Sequence, residues 1–90
     1  MLNIVSSNRF KKDLKLAIRR GYKIELLENV VNKLAEGKVL EPNYKDHELS
    51  GDLKGLRECH ITPDWLLIYQ VIENELVLYL SRTGTHSDLF

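Results

Sequence analysis

The sequence predicts an α+β fold, in which an N-terminal strand and an antiparallel helix pair pack on a mostly antiparallel sheet. Three observations carry this prediction. A short apolar segment, LNIV, opens the chain; two apolar stripes with helical period follow; and three strand-like segments separated by turn-sized triplets occupy the C-terminal half.

Leu2 to Val5 is β-branched at Ile4 and Val5 and reads as a strand, and the SSN that follows offers N-cap residues for a helix starting near Ser7. Phe10, Leu14, Ala17 and Ile18 form its apolar stripe, Arg19 and Arg20 lie in its last turn, and Gly21 supplies a stop. Ile24, Leu27, Val31 and Leu34 mark a second helix ending at Glu36 and Gly37. A connection as short as Gly21-Tyr22 makes the two helices antiparallel neighbours. Lys38 to Lys54 is irregular and rich in turn residues, with a short strand expected around His47 to Leu49. Leu56 to Ile61, Trp65 to Ile72 and Leu76 to Leu80 then form a meander joined by TPD and ENE. WLLIYQVI is almost continuously apolar, as a central strand covered on both faces must be. The helices should cover one face of the sheet and leave the other for function.

At 90 residues the chain suits a single domain spanning 1–90. A hydrophobic fraction of 43% and a charged fraction of 29% are those of a soluble globular protein, and no window supplies the ~20 apolar residues of a membrane span. The N-terminal residues show no secretion signal, so a cytoplasmic location is expected. The single cysteine, Cys59, reads as a small buried side chain with no chemistry. Net charge is zero but uneven: residues 1–40 carry nine Lys or Arg against four acids, and residues 41–90 carry four against nine. The basic half is either a solvated helix surface or a face for phosphate or an acidic partner.

All three histidines, His47, His60 and His86, lie in the C-terminal half near turns or strand ends. Histidine is suited to moving protons near neutral pH. Metal-free RNA cleavage needs such transfers: one group takes the 2′-OH proton, another protonates the departing 5′-oxygen, and a cation stabilises the charge on phosphorus. In RTGTH, Arg82 and His86 flank a glycine that permits a tight turn, so both could address one phosphate. Each residue also has a plainer reading. Loop histidines are often only surface residues, Trp65 is more often a core aromatic than a base platform, and Asp64 suits a turn. His60, Asp64 and His86 are conceivable metal ligands, yet the chain has no H-E-x-x-H, C-x-x-C or carboxylate cluster, so no metal and no other cofactor is expected.

YKDHELSGDLKGLRECHITPDWLLIY followed by LSRTGTHSDLF resembles the YafQ-type toxins of the RelE/ParE superfamily, from Tyr44 to Phe90. K-D-H-x-L, H-x-x-P-D-W and R-x-G-x-H-x-x-L-F in this order carry the resemblance. It implies a RelE-like fold and a bacterial toxin that cleaves mRNA on the ribosome without metal, using the 2′-OH as nucleophile, and that is silenced by a cognate antitoxin. It also implies roles for individual residues. His86 and Asp64 become the leading proton carriers, with His47 and His60 assisting in proton transfer or phosphate positioning. Arg82 would stabilise the phosphorane, Phe90 would hold the tail or a base, and Trp65 would pack beneath the site, with Lys45 as a substrate-binding or supporting residue. Which histidine is acid and which is base stays open. The competing readings are a noncatalytic ParE-like gyrase inhibitor or antitoxin-binding protein, and a metal-dependent hydrolase. Two features depart from the family pattern: the neutral charge, which weakens binding to free RNA, and the acids Glu48 and Asp88 beside His47 and His86.

Overall fold

A computed structural model describes residues 1–90. The chain runs β1 (Asn3–Ser6), α1 (Asn8–Arg19), α2 (Ile24–Ala35), β2 (His47–Glu48), β3 (Arg57–Thr62), β4 (Trp65–Ile72), β5 (Val77–Gly84) and α3 (His86–Leu89). Short 3₁₀ turns lie at Pro42–Tyr44, Gly51–Leu53 and Glu73–Glu75. The five strands form one sheet in the order β1-β5-β4-β3-β2, parallel at β1/β5 and antiparallel elsewhere. This is the α+β arrangement expected from the sequence.

Local chemistry sets the helix ends. Ser7 caps α1 by accepting from the Phe10 N–H at 2.9 Å, and its hydroxyl donates to the Ser81 carbonyl at 2.7 Å, which fastens the start of the helix to β5. At the other end the N–H groups of Gly21 and Tyr22 bond back to the carbonyls of Ile18 and Ala17. This closure needs a left-handed residue after the cap, and Gly21 supplies it at φ +79°. Gly37 and Lys38 close α2 in the same way, on Leu34 and Lys33.

Phe10, Ala17, Leu27, Val30, Val31, Leu34 and Ala35 of the helices pack on Cys59, Ile61, Trp65, Leu67, Tyr69, Leu78 and Leu80 of the sheet. Ile18, expected in the stripe of α1, is 56% exposed. At about 100° per residue it sits on the flank of the Phe10-Leu14-Ala17 line and faces out. β4 is the central strand, and its neighbours Leu66 and Leu67 are each 0% exposed although they point to opposite faces.

β5 extends four residues beyond the expected Leu80, through Ser81-Arg82-Thr83-Gly84. These residues are too polar to read as strand, but each is satisfied in place. A register shift lets Ser81 bulge between the pairs Tyr69↔Leu80 and Ile68↔Arg82, and Thr83 is buried with its hydroxyl donating to the Leu66 carbonyl at 2.7 Å. β1 pairs only with Val77–Leu80, so the rest of this edge is covered by Asp13 of α1, which accepts from the Thr83 N–H at 3.2 Å. No helix is long and apolar enough to cross a membrane.

Candidate active site

The sheet register places the chemistry on the face away from the helix core. His47 pairs with Glu58, Glu58 with Ile68 and Ile68 with Arg82, while His60 pairs with Leu66 and Leu66 with Gly84. Directly paired residues point the same way, so His47, Glu58, His60 and Arg82 share one face. His86 opens α3 just beyond Gly84.

Glu58 is the hub. Its carboxylate is 5% exposed at the residue level and places Oε1 3.8 Å from Nε2 of both His47 and His60. The His60 and His86 rings lie 5.9 Å apart, and the Phe90 ring lies 6.1 Å beyond His86. The three histidines, far apart in sequence, thus form a continuous line that ends on the terminal aromatic. Glu58 was absent from the expected site, although its spacing of two from His60 on a strand was a legible sign of a shared face.

The loop before His47 is clamped. Asp46 accepts from the Tyr69 hydroxyl and from Nη2 of Arg57 at 3.1 Å, and burial pushes the Tyr69 phenol well above its ordinary pKa. Lys45 takes a left-handed conformation at φ 51°, and its carbonyl lies 2.7 Å from Nδ1 of His47. A carbonyl only accepts, so Nδ1 carries the hydrogen and Nε2 is turned to Glu58. Lys45 also lines a groove of about 290 Å³ with Asn43, His60 and Pro63.

Arg82 and His86 do not flank a tight turn, as the spacing had suggested. Arg82 sits inside β5, and its Nε and Nη2 engage Asp13 at 2.7 and 3.2 Å. The Asp13 carboxylate raises the guanidinium pKa further, and Nη1 is left without a protein acceptor. Asp64 is exposed and lies on the other side of His86, lining a cleft of about 370 Å³ with Tyr22, Thr85, His86 and Ser87. Trp65 is 2% exposed; it donates from Nε1 to the Thr83 hydroxyl at 2.8 Å, and Tyr22 rests against it at 5.0 Å between ring centroids. Cys59 is fully buried with its thiol pushed up to about 12 by burial, which leaves it inert.

The tail that carries His86 is tied down by polar contacts. Thr85 and Asp88 form a capping box, and Arg20 donates to the Asp88 carboxylate at 2.7 and 3.2 Å. Asp88 is thus engaged with Arg20 and the Thr85 N–H instead of with His86. Those bonds hold its carboxyl well below the usual carboxylate range. A depressed folded pKa gives stability that is present above the unfolded value near ~4 and is lost only as pH falls through the folded value. The amide protection factors of α3, taken relative to the base-catalysed intrinsic rate, are therefore expected to stay unchanged from pH 8 down to 5, whereas Arg20→Ala frays α3 throughout that range. Gly84→Ala should displace the same segment: at φ +155° an added Cβ would lie 2.9 Å from Oδ2 and 3.0 Å from Cβ of Asp88. Loss of α3 amide protection with a retained core would be the readout.

The α+β fold thus carries a line of imidazoles on one sheet face, a buried carboxylate between two of them and no accessible thiol. Over residues 2–90 the sequence matches the family described as bacterial toxin of type II toxin-antitoxin system, YafQ. The mRNA interferase toxin YafQ of Escherichia coli K12 is 39% identical over 89 residues, covering 98% of this chain and 95% of the relative. Among solved structures, a metal-bound toxin from Helicobacter pylori is 50% identical with a TM-score of 0.94 over the whole of both chains. The E. coli DinJ-YafQ complex is matched at 38% identity and a TM-score of 0.91, over 100% of this chain and 99% of that one. The chain belongs to the YafQ family of type II toxin-antitoxin toxins.

Proposed function

We propose that this toxin is an mRNA interferase, an endoribonuclease that cleaves messages by attack of the ribose 2′-OH, acting in the cytoplasm where messages are translated. One observation carries the chemistry: His47, Glu58, His60 and His86 are neighbours in one cluster at the sheet face away from the helix core. The curated E. coli relative supports the activity through its name, mRNA interferase.

His86 and Asp64 face one cleft, and His60 lies beside His86, so two proton carriers can straddle a phosphate placed there. Glu58 holds the imidazoles of His47 and His60 toward the substrate, its Oε1 lying 3.8 Å from Nε2 of each. Arg82, oriented by Asp13, offers Nη1 to the developing phosphorane charge, and Phe90 packs beside His86 against a base. Lys45, on the far side of His60, contacts the backbone of the message. Because the chain has no net charge, the ribosome presents the substrate, with Lys11, Lys12, Lys15 and Arg19 of the basic half toward ribosomal RNA.

Glu58→Gln keeps the shape of the side chain and removes its charge. It should lower single-turnover cleavage by about tenfold, since the buried charge that positions both imidazoles is gone and small misplacements of a catalytic group are costly. Unchanged cleavage in the folded variant would remove Glu58 from the site. The proposed proton transfers are assigned to side chains, without a metal, and the chelator arm of the following test decides that assignment. The function is tested in a cell-free translation reaction by mapping cuts in a defined message, with and without chelator. Discrete cuts that resist chelator are expected; their absence with folded protein favours the gyrase-inhibitor reading. A cognate antitoxin, as DinJ is for the E. coli relative, should silence cutting and co-purify with the chain.

A further inference from the structure

The groove that holds His86 does not end there. Tyr22 and Asp64, which line the cleft at His86, also line a second cleft of about 480 Å³ with Lys23, Leu26, Thr62 and Trp65. The two clefts therefore adjoin at Tyr22 and Asp64, and the second reaches the start of α2. Its volume is within the ~300–1,000 Å³ of small-molecule sites.

We propose that this second cleft is a subsite for one nucleotide flanking the cleaved bond, with its base between Tyr22 and Leu26 and its phosphate on Lys23. The inference rests on the nuclease reading and extends it to substrate selection. The walls are built before any ligand arrives. Tyr22 is fixed by its N–H bond to the Ala17 carbonyl and by its ring against Trp65, whose Nε1 is already committed to Thr83. Stacking on such a wall costs little ordering. Leu26 is 37% exposed and adds apolar surface to the same cleft. Three polar side chains of the cleft are free: Lys23 and Asp64 form no ion pair, and neither they nor Thr62 make a side-chain hydrogen bond within the protein. A flat apolar ring with a hydrogen-bonding edge and an attached phosphate matches an aromatic wall, an unpaired ammonium and an unpaired carboxylate. A lone metal ion does not, because the ammonium repels it.

The test uses the intact toxin on programmed ribosomes. Leu26→Tyr fills the cleft from an exposed position, and Lys23→Ala removes the phosphate contact; both should melt like the original chain. Leu26→Tyr should raise the half-saturating concentration by about tenfold to a hundredfold with little change in the maximal rate. Lys23→Ala should weaken binding and reduce its salt dependence by about one in logarithmic slope. An abasic nucleotide at one position beside the cut should cost as much as Leu26→Tyr, and the two losses should not add. Normal half-saturation in both variants, or additive losses at every position, would overturn the subsite while the nuclease reading stands. If the unaltered toxin does not cut at all, the nuclease reading falls by itself, and the subsite is judged by NMR with a 2′-deoxy trinucleotide. Shifts at the amides of Tyr22 to Leu26 and at the Trp65 indole support it; their absence at millimolar ligand overturns it.

Discussion

His86→Ala is expected to reduce message cleavage by about a hundredfold or more while leaving the melting temperature of the toxin within a degree or two of its original value. The size follows from the loss of a positioned proton carrier, which contributes ~10²–10⁴-fold to such reactions. The unchanged stability follows from the setting. His86 is exposed and its side chain makes no hydrogen bond; the tail is held by its backbone, by the Thr85–Asp88 box and by Arg20. His86→Gln should be as inactive as the alanine variant, because glutamine keeps a polar group in place without exchanging protons near neutral pH. Primer extension on a defined message, together with a thermal melt of each variant, makes the measurement. Full cleavage by a folded His86→Ala protein would remove this residue from the reaction.

Trp65→Ala has the largest expected effect on stability, a loss of about 3–5 kcal/mol. The ring is 2% exposed, packs under Tyr22 and donates to Thr83, so truncation opens a cavity and removes a bond inside the sheet. For a small domain with roughly 5–15 kcal/mol in total, that loss takes much of the margin, and the melting temperature should fall by roughly 15 °C or more. Trp65→Phe separates the two contributions. It retains most of the apolar area and loses the Nε1 donor, for about 1 kcal/mol, because the Thr83 hydroxyl still donates to the Leu66 carbonyl. Denaturant unfolding of the three proteins checks the order. An alanine variant as stable as the phenylalanine variant would mean that the indole is not the wedge beneath the site.

How much of this was legible in the sequence depends on the range of the interaction. The helices were readable because their ends rest on local chemistry: Ser7 caps the start of α1 three residues from its partner, and Gly21 closes the end. WLLIYQVI announced a central strand because both of its faces are covered. SRTG did not read as strand, since what lets it pair is Asp13, 69 residues before Arg82 and 70 before Thr83. For the same reason Arg82 looked like a free cation beside a turn. In the folded chain it is a strand residue already bound to a carboxylate on α1. Asp88 looked like a neighbour acting on His86, and its partner proved to be Arg20, 68 positions away. Glu58 was different, because strand periodicity alone sets it beside His60, and the carboxylate sits between two histidines. Tyr22, which read only as a linker residue between two helices, forms a wall of the groove at His86.

The chemistry of the cut ends reports the 2′-OH attack itself. Attack by the 2′-OH must leave a 2′,3′-cyclic phosphate on the upstream fragment and a 5′-hydroxyl on the downstream one, with no water entering the first step. The measurement is end analysis of message fragments made by the purified toxin on translating ribosomes in the presence of EDTA. Cyclic-phosphate and 5′-hydroxyl ends are expected, both absent with His86→Ala. Fragments ending in 3′-hydroxyl and 5′-phosphate, or cleavage that stops with EDTA and returns with a divalent ion, would contradict it.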